Sequence, residues 1–268
     1  MTQKIAVLGA GKMGEALLGG MLRAGRAPAD LLATARRPER AAALRERHGV
    51  ETVTNAEAAK TADILILAVK PQDMGALLEE LSPHVPADRL VISAAAGVTT
   101  AFVESRLTAG IPVVRVVPNT PVLVDEGMSV ISAGSHATEE HLAHAEEIFG
   151  AVGKTLRIPE HQQDAATALS GSGPAYFYYL VEAMTDAGIL LGLPRDKAHD
   201  LVVQAAVGAS VMLRDTGEHP VKLREAVTSP GGTTIAAIRE LENHGVRAAL
   251  IAALEAARDR SRELGAGR

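Results

Sequence analysis

The fold is decided by the stretch Ile5-Ala6-Val7-Leu8-Gly9-Ala10-Gly11-Lys12-Met13-Gly14, a short apolar run followed by glycines spaced G-x-G-x-x-G. The apolar run predicts a buried strand, and the glycines open the helix after it. In such a turn the first glycine permits the tight bend. The second lets a pyrophosphate approach the backbone, and the third lets helix and strand pack closely. Free N–H groups at the helix start favour phosphate. The stretch therefore predicts a dinucleotide site in a strand–helix–strand unit.

Outward from this turn, apolar runs alternate with helical stretches over most of the first half of the chain. The predicted strands are Ile5–Leu8, Leu31–Ala35, Val50–Val53, Ile64–Val69, Leu90–Ala94, Val113–Val117, Met128–Ala133 and Thr155–Ile158. The predicted helices are Met13–Ala24, Pro38–His48, Gln72–Leu81, Thr100–Leu107 and Glu139–Phe149. Several strands are continuously apolar, which is typical of parallel strands buried on both faces. The pattern predicts an α/β fold with a parallel, doubly wound sheet of the Rossmann type.

The second half shows helical periodicity only. The predicted helices are Ala175–Leu191, Arg195–Arg214, Val221–Val227, Thr233–Asn243 and Val246–Leu264, with glycine and proline breaks between them. We therefore expect a sheet domain over residues 1–157 and an all-α domain over residues 158–268.

The end of the second predicted strand bears on the choice of cofactor. An acidic residue there would bind the adenosine ribose of NAD, but the chain has Thr34-Ala35-Arg36-Arg37. Two guanidinium groups suit the 2′-phosphate of NADP, because each can donate paired hydrogen bonds. Arg36 and Arg37 therefore predict NADPH as the cofactor, with NADH used less well. The alternative is that both arginines lie on a solvated loop.

Composition excludes several classes of function. The net charge is −5 and no basic stripe is visible, so nucleic-acid binding has no electrostatic support. The chain has no cysteine, which rules out disulfides and thiolate catalysis. His141 and His144 lie among glutamates on a charged helix with no third ligand, so no metal site is expected. No signal peptide or membrane span is visible, and we expect a cytoplasmic protein without membrane partners.

Val227-Thr228-Ser229-Pro230-Gly231-Gly232-Thr233-Thr234-Ile235 is the unusual segment of the second half. It combines hydroxyls and glycines at the start of a helix, where free N–H groups could hold a carboxylate. Serine and threonine are also common helix caps, so the segment alone leaves both possibilities open.

Taken together, six segments resemble the pyrroline-5-carboxylate reductase family over nearly the whole chain. They are Gly9–Gly14, Ala68–Gln72, Ser93–Val98, Arg115–Pro121, Leu169–Tyr176 and Val227–Ile235, of which the last is the most specific. The resemblance implies an oxidoreductase that reduces Δ1-pyrroline-5-carboxylate to L-proline with NADPH, the last step of proline biosynthesis. This chemistry needs no protein nucleophile or metal, because the cofactor supplies the reducing equivalent and a protonated imine is already electrophilic.

The resemblance also implies roles for individual residues. Thr234 is the expected catalytic residue, hydrogen-bonded to the ring nitrogen, and the substrate would be held by Ser229, Gly232, Thr233 and Thr234. The cofactor would contact Leu8, Gly9, Ala10, Gly11, Lys12, Met13, Gly14, Asn55, Ala68, Val69, Lys70, Pro71, Ala94, Ala95 and Ala96. Glu160 would lie near the nicotinamide.

Two alternatives remain at this point. One is a related NADPH-dependent reductase. A β-hydroxyacid dehydrogenase is disfavoured. Such enzymes usually carry a catalytic lysine on the first long helix after the sheet, and here no lysine occurs there before Lys197. A reductase of another cyclic imine is not excluded. The other is a non-catalytic NADP-binding module, against which the hydroxyls of Ser229, Thr233 and Thr234 argue.

The run Leu201–Leu213 contains no charged residue and is apolar on every side of a helix. Such a helix must be buried on every side, and about a hundred helical residues are few for enclosing it. We therefore expect a homodimer through the helical half; the alternative is that the sheet domain covers the open face of this helix. The resemblance implies the same, with further assembly into a larger homo-oligomer.

Overall fold

Within residues 3–266, which the computed structural model describes, eight strands form one sheet. They are β1 (Ile5–Leu8), β2 (Leu31–Ala33), β3 (Glu51–Thr52), β4 (Ile64–Leu67), β5 (Leu90–Ser93), β6 (Val113–Pro118), β7 (Gly127–Ala133) and β8 (Gly153–Arg157). Their order is β3-β2-β1-β4-β5-β6-β7-β8. The order reverses between β1 and β4, the position at which doubly wound sheets bind their ligands.

The prediction of a wholly parallel sheet is wrong at one place. β1 to β6 pair in parallel, but β7 runs antiparallel to β6, and β8 is parallel to β7. The reason is the connection between Pro118 and Gly127, which holds only the 3₁₀ turn Thr120–Val124. A parallel pair needs a crossover of a dozen or more residues, so this short connection imposes an antiparallel return.

Helices cover both faces of the sheet. They are α1 (Lys12–Arg23), α2 (Pro38–His48), α3 (Asn55–Thr61), α4 (Met74–Leu81), α5 (Thr100–Glu104), α6 (Glu139–Gly150) and α7 (Gln163–Ala166), the last continued by a π-helical turn over Thr167–Gly171. Alternate residues of β1 and β4 enter two separate cores. Side chains of α1, α2 and α6 fill one core, and side chains of α3, α4 and α5 fill the other. This confirms the doubly wound architecture.

Contacts divide the chain into two compact units. The first comprises the chain up to Ser172 together with the chain from Ala257 onward, and the second is Gly173–Ala256. The expected domain boundary lies near residue 157, whereas this division places residues 158–172 with the sheet. Gln163 shows why, because its Nε2 donates to the Val130 carbonyl at 3.1 Å and to Ser132 Oγ at 2.8 Å, both on β7.

The second unit is entirely helical in the part of the chain that the structure describes. It holds α8 (Gly173–Leu190), α9 (Arg195–Thr216), α10 (Pro220–Ala226), α11 (Thr233–Asn243) and most of α12 (Val246–Ala266). Leu201, Val207 and Met212, in the uncharged run of α9, are exposed in the single chain. No helix within residues 3–266 is both long and apolar enough to cross a membrane.

Candidate functional site

The glycine turn after β1 has the geometry that its sequence predicts. Gly9 adopts a φ of +76°, in the left-handed region that disfavours other residues, and a Cβ there would overlap the Val69 side chain. A Cβ at Gly14 would lie 2.9 Å from Val7 Cγ1, so α1 can pack against β1 only with glycine there. Gly11 is exposed, and a Cβ on it would have no neighbour closer than 3.8 Å. The turn thus leaves its middle glycine open to a ligand.

Thr34 at the end of β2 fixes this turn from the side. Its backbone oxygen accepts from the Ala10 N–H at 2.9 Å, and its Oγ1 accepts from the Gly9 N–H at 3.1 Å. Since α1 begins at Lys12, the first N–H groups of that helix have no partner within it. They are available to an anion placed over Gly11.

A cleft of about 890 Å³ opens beside the turn, at the carboxyl ends of the strands on both sides of the switch point. Nine of the residues with an expected cofactor role line it: Gly9, Ala10, Gly11, Arg36, Arg37, Asn55, Ala68, Val69 and Lys70. The others do not belong to this lining: Leu8, Lys12, Met13, Gly14, Pro71, Ala94, Ala95 and Ala96. Leu8 is completely buried. The cofactor roles of all these residues, inside and outside the lining, stay predictions.

Charged side chains contribute much of the cleft lining outside the glycine turn. Arg36 Nη2 donates to Asp73 Oδ2 at 2.9 Å across the cleft, and Arg37 and Lys70 add two further cations to its walls. Asn55 Nδ2 donates to Glu80 Oε2 at 2.9 Å. Guanidinium groups concentrated at the end of β2 suit a phosphate on an adenosine ribose.

Arg40 also lines the cleft, and the sequence analysis missed it. It lies one helical turn beyond Arg37 near the start of α2, where residues three apart share a face. That spacing was the available signal. Asp73 was missed as well, and no sequence pattern pairs it with Arg36, because the two are brought together by separate strand-end loops.

In the second unit, the segment before α11 forms the expected glycine turn and helix start. Gly231 has a φ of +66°, and the Gly232 N–H donates to the Ser229 carbonyl at 3.1 Å. The helix begins at Thr233 and no side chain caps it, which leaves its first N–H groups free of helical partners. Ser229 and Thr233 are exposed, and Thr234 is half-buried. The segment can bind a carboxylate, and its substrate role stays a prediction.

Glu160 lies in a polar cluster with Thr100 and Arg115. It accepts from the Thr100 N–H at 2.8 Å, from Thr100 Oγ1 at 2.6 Å and from Arg115 Nη1 at 3.2 Å. Arg115 is 3% exposed and pairs in register with Ser93, at the carboxyl end of β5. Thr100 at the start of α5 and Arg115 on β6 therefore hold the Glu160 carboxylate, and its place near the nicotinamide remains a prediction.

The described residues contain no group of three or more histidine, aspartate or glutamate side chains able to hold a metal ion. His141 has a structural role instead. Its Nδ1 accepts from the Thr138 N–H at 3.0 Å, which caps α6, and burial lowers the pKa of its imidazole.

Comparison with known proteins adds the family context. A model described as pyrroline-5-carboxylate reductase dimerisation matches residues 160–264, and one described as NADP oxidoreductase, coenzyme F420-dependent, matches residues 4–97. A pyrroline-5-carboxylate reductase of Corynebacterium melassecola is 44% identical, covering 97% of this chain and 98% of that protein.

Two solved structures resemble the whole chain. A pyrroline-5-carboxylate reductase from Coxiella burnetii superposes with a TM-score of 0.93 at 37% identity, covering 98% of this chain and 99% of the other. A pyrroline carboxylate reductase of Plasmodium falciparum with NADP bound has a TM-score of 0.88 at 30% identity, covering 98% of each chain.

Proposed function

The chain belongs to the pyrroline-5-carboxylate reductase family, and from that membership we propose that its glycine turn and cleft bind NADPH while the Ser229–Thr234 segment binds the cyclic imine. The enzyme is an NAD(P)H-dependent oxidoreductase acting on a C=N bond. Pyrroline-5-carboxylate, NADPH and one proton give L-proline and NADP⁺. The observation that carries the residue assignment is the cleft, whose lining includes both the glycine turn and the arginines after β2.

The cofactor fits the residues present. A pyrophosphate over Gly11 would meet the free N–H groups of Lys12, Met13 and Gly14 at the start of α1. The adenosine end would then reach the cleft wall that holds Arg36 and Arg37, which can pair with a 2′-phosphate. Bound in this way, NADPH supplies the hydride that the carbon of the C=N bond accepts.

The remaining chemistry falls to binding and orientation. The N–H groups and hydroxyls at the start of α11 would hold the substrate carboxylate, with Ser229 and Thr233 as side-chain donors. Thr234 would hydrogen-bond the ring nitrogen and fix the plane of the imine. Proper orientation of two bound reactants is enough for a large rate acceleration when one of them is already electrophilic.

The chain carries a dimerisation domain, since the matching model covers residues 160–264. We propose a homodimer, its assembly into a larger homo-oligomer and a cytoplasmic location. The family model begins at residue 160, close to the boundary near residue 157 expected from the sequence, whereas the contacts begin the second unit at Gly173.

A coupled kinetic and binding experiment tests the assignment. NADPH oxidation is followed by its absorbance with pyrroline-5-carboxylate as substrate, and NADPH binding is titrated separately. We expect saturable turnover and an NADPH preference over NADH. Binding of NADPH without turnover would contradict the substrate assignment, and turnover with NADH preferred would contradict the cofactor assignment.

A further inference from the structure

Arg40 is bound to the cofactor turn itself. Its Nε donates to the Ala10 carbonyl at 3.0 Å, and its Nη2 donates to the Gly11 carbonyl at 3.1 Å. Nη2 also donates to Glu15 Oε2 at 2.7 Å. A side chain of α2 therefore holds two consecutive peptide groups of the turn between β1 and α1.

Glu15 in turn holds Arg40. This carboxylate lies in the first turn of α1 and accepts from Arg47 Nη1 at 2.6 Å, and its Oε1 also lies 3.1 Å from His48 Nε2. Both Glu15 and Arg40 are mostly buried, with side chains 17% and 24% exposed. Burial alone would raise the pKa of Glu15, but the hydrogen bonds from Arg40 and His48 and the nearby arginine charges lower it. Glu15 is therefore an ionised anchor for the Arg40 guanidinium.

The two carbonyl contacts determine the direction of a neighbouring donor. In a trans peptide the carbonyl and the N–H of the next residue point to opposite sides. The Gly11 carbonyl accepts from the Glu15 N–H at 2.9 Å, the first backbone bond of α1, and from Arg40 Nη2. The helix and Arg40 together therefore direct the Lys12 N–H away from Arg40. Lys12 is the first residue of α1, and its N–H is one of those left without a helical partner. Arg40 thereby preorganises a donor that a pyrophosphate would use.

We propose that Arg40 is a positioning residue that holds the Ala10–Gly11 backbone in its phosphate-binding conformation and so supports NADPH and NADH equally. This inference rests on the proposed cofactor site. The proposal gives Arg40 a different role from Arg36 and Arg37. Within the described residues, the side chains of Arg36 and Arg37 line the cleft but make no hydrogen bond to the turn, and they would act on the 2′-phosphate alone. The three arginines lie within five residues, yet they would serve different parts of one dinucleotide.

The test compares the variants Arg40→Met and Arg40→Lys with the matched control Arg47→Met. Arg47 shares the Glu15 carboxylate with Arg40 but does not line the cleft. For the full-length protein, the dissociation constants of NADPH and NADH are measured by calorimetry. Amide hydrogen exchange of the peptide spanning residues 9–14 is measured without ligand, and circular dichroism monitors the fold.

For Arg40→Met we expect both dissociation constants to rise by about tenfold, equivalent to about 1.4 kcal/mol, with the NADPH-to-NADH ratio unchanged. Amide exchange over residues 9–14 should become faster. Arg47→Met should leave both observables near the wild-type values. Arg40→Lys keeps the charge but not the forked geometry, and should weaken both cofactors by a smaller common factor. It also serves as the test if Arg40→Met does not fold.

Loss of NADPH affinity alone would make Arg40 a third ligand of the 2′-phosphate and overturn the proposal. Unchanged affinities would overturn it too, as would an equal loss in Arg47→Met. A wild-type chain that binds neither cofactor would overturn the whole cofactor site. That result is distinct from one in which the wild type binds both cofactors and Arg40→Met binds them as tightly as the wild type, which would overturn only the role of Arg40.

Discussion

Replacing Arg36 and Arg37 together with alanine should remove the NADPH preference and leave NADH binding almost unchanged. Arg36 and Arg37 line the same cleft as the glycine turn. NADPH and NADH differ only in the 2′-phosphate, so a group that contacts this phosphate alone cannot affect NADH.

The size of the effect follows from what each arginine gains and gives up. One hydrogen bond from each guanidinium to a charged oxygen contributes about 1.5–3 kcal/mol. Arg36 must first leave Asp73, but those side chains are 83% and 30% exposed, so breaking their ion pair costs at most about 1 kcal/mol. Two bonds at the lower bound, less this cost, leave about 2 kcal/mol. The double variant should therefore bind NADPH about thirtyfold more weakly.

Calorimetric titration of both cofactors measures this directly, and Michaelis constants provide a second estimate. Arg45→Ala is the matched control, since Arg45 lies on α2, the helix that follows Arg36 and Arg37, but donates to Thr52 Oγ1 and does not line the cleft. A wild-type preference for NADH would refute the reasoning. So would an equal loss of both cofactors in the double variant, because the arginines would then act on a part that the two dinucleotides share.

Three further predictions concern the substrate segment, the acid dependence of stability and the assembly. Thr234→Ala should lower kcat/KM by roughly ten- to a hundredfold, because it loses one hydrogen bond of about 1–3 kcal/mol. Ser229→Ala should raise KM more than it lowers kcat. Wild-type kinetics in either variant would contradict the substrate role of the residue replaced. Glu15→Gln should destabilise the fold at pH 7 by roughly 1.5–3 kcal/mol, and the difference should shrink below the ordinary carboxyl pKa of 4.5. Because the folded-state pKa of Glu15 is lowered, its carboxylate stabilises the fold above pH 4.5 and loses this contribution as the pH falls through the folded-state pKa. Chemical unfolding of the wild type and Glu15→Gln at several pH values measures the difference in stability. A difference that does not change with pH would exclude this role. Light scattering at micromolar concentration should find a dimer or larger species, and a helix-retaining monomer of 27.9 kDa would disprove it.

Most of the sheet domain could be predicted because its local signals agree with its packing. The run Ile5–Leu8 is apolar at every position, Leu90–Ser93 is apolar at all but its last, and both faces of these strands are buried. The second helix ends at His48 as predicted, and Gly49 caps it with a φ of +67°. At these positions propensity, pattern and tertiary contacts favour the same structure.

What the sequence analysis missed depends on short segments and on contacts between distant ones. Helix α3 has seven residues and little apolar periodicity, but Thr54 and Glu57 form a capping box, a signal that was available. The antiparallel return to β7 depends on the length of one connection, which becomes informative only when both strand ends are known. Arg40 shows the same limit at the site. Ala10 and Gly11 accept hydrogen bonds from Arg40 through their backbone oxygens. Because every residue has a backbone oxygen, the residue types in the sequence do not reveal such a contact.

The helical unit Gly173–Ala256 has almost no hydrophobic core of its own in the single chain. Ala198 is its one buried hydrophobic side chain among Gly173–Ala256, all of which the structure describes, while Leu190, Leu201 and Met212 are exposed. Domains of this size normally bury more than half of the surface that their unfolded chain exposes, and hydrophobic burial is the main term that offsets conformational entropy. A unit without a core of its own must obtain that burial from association. The proposed homodimer would account for this composition, because the apolar run Leu201–Leu213 of α9 would then lie in the core of a pair of chains, in keeping with the dimerisation model that matches residues 160–264. The stability of this half, and of the substrate segment Ser229–Thr234 within it, is in that case inseparable from protein concentration.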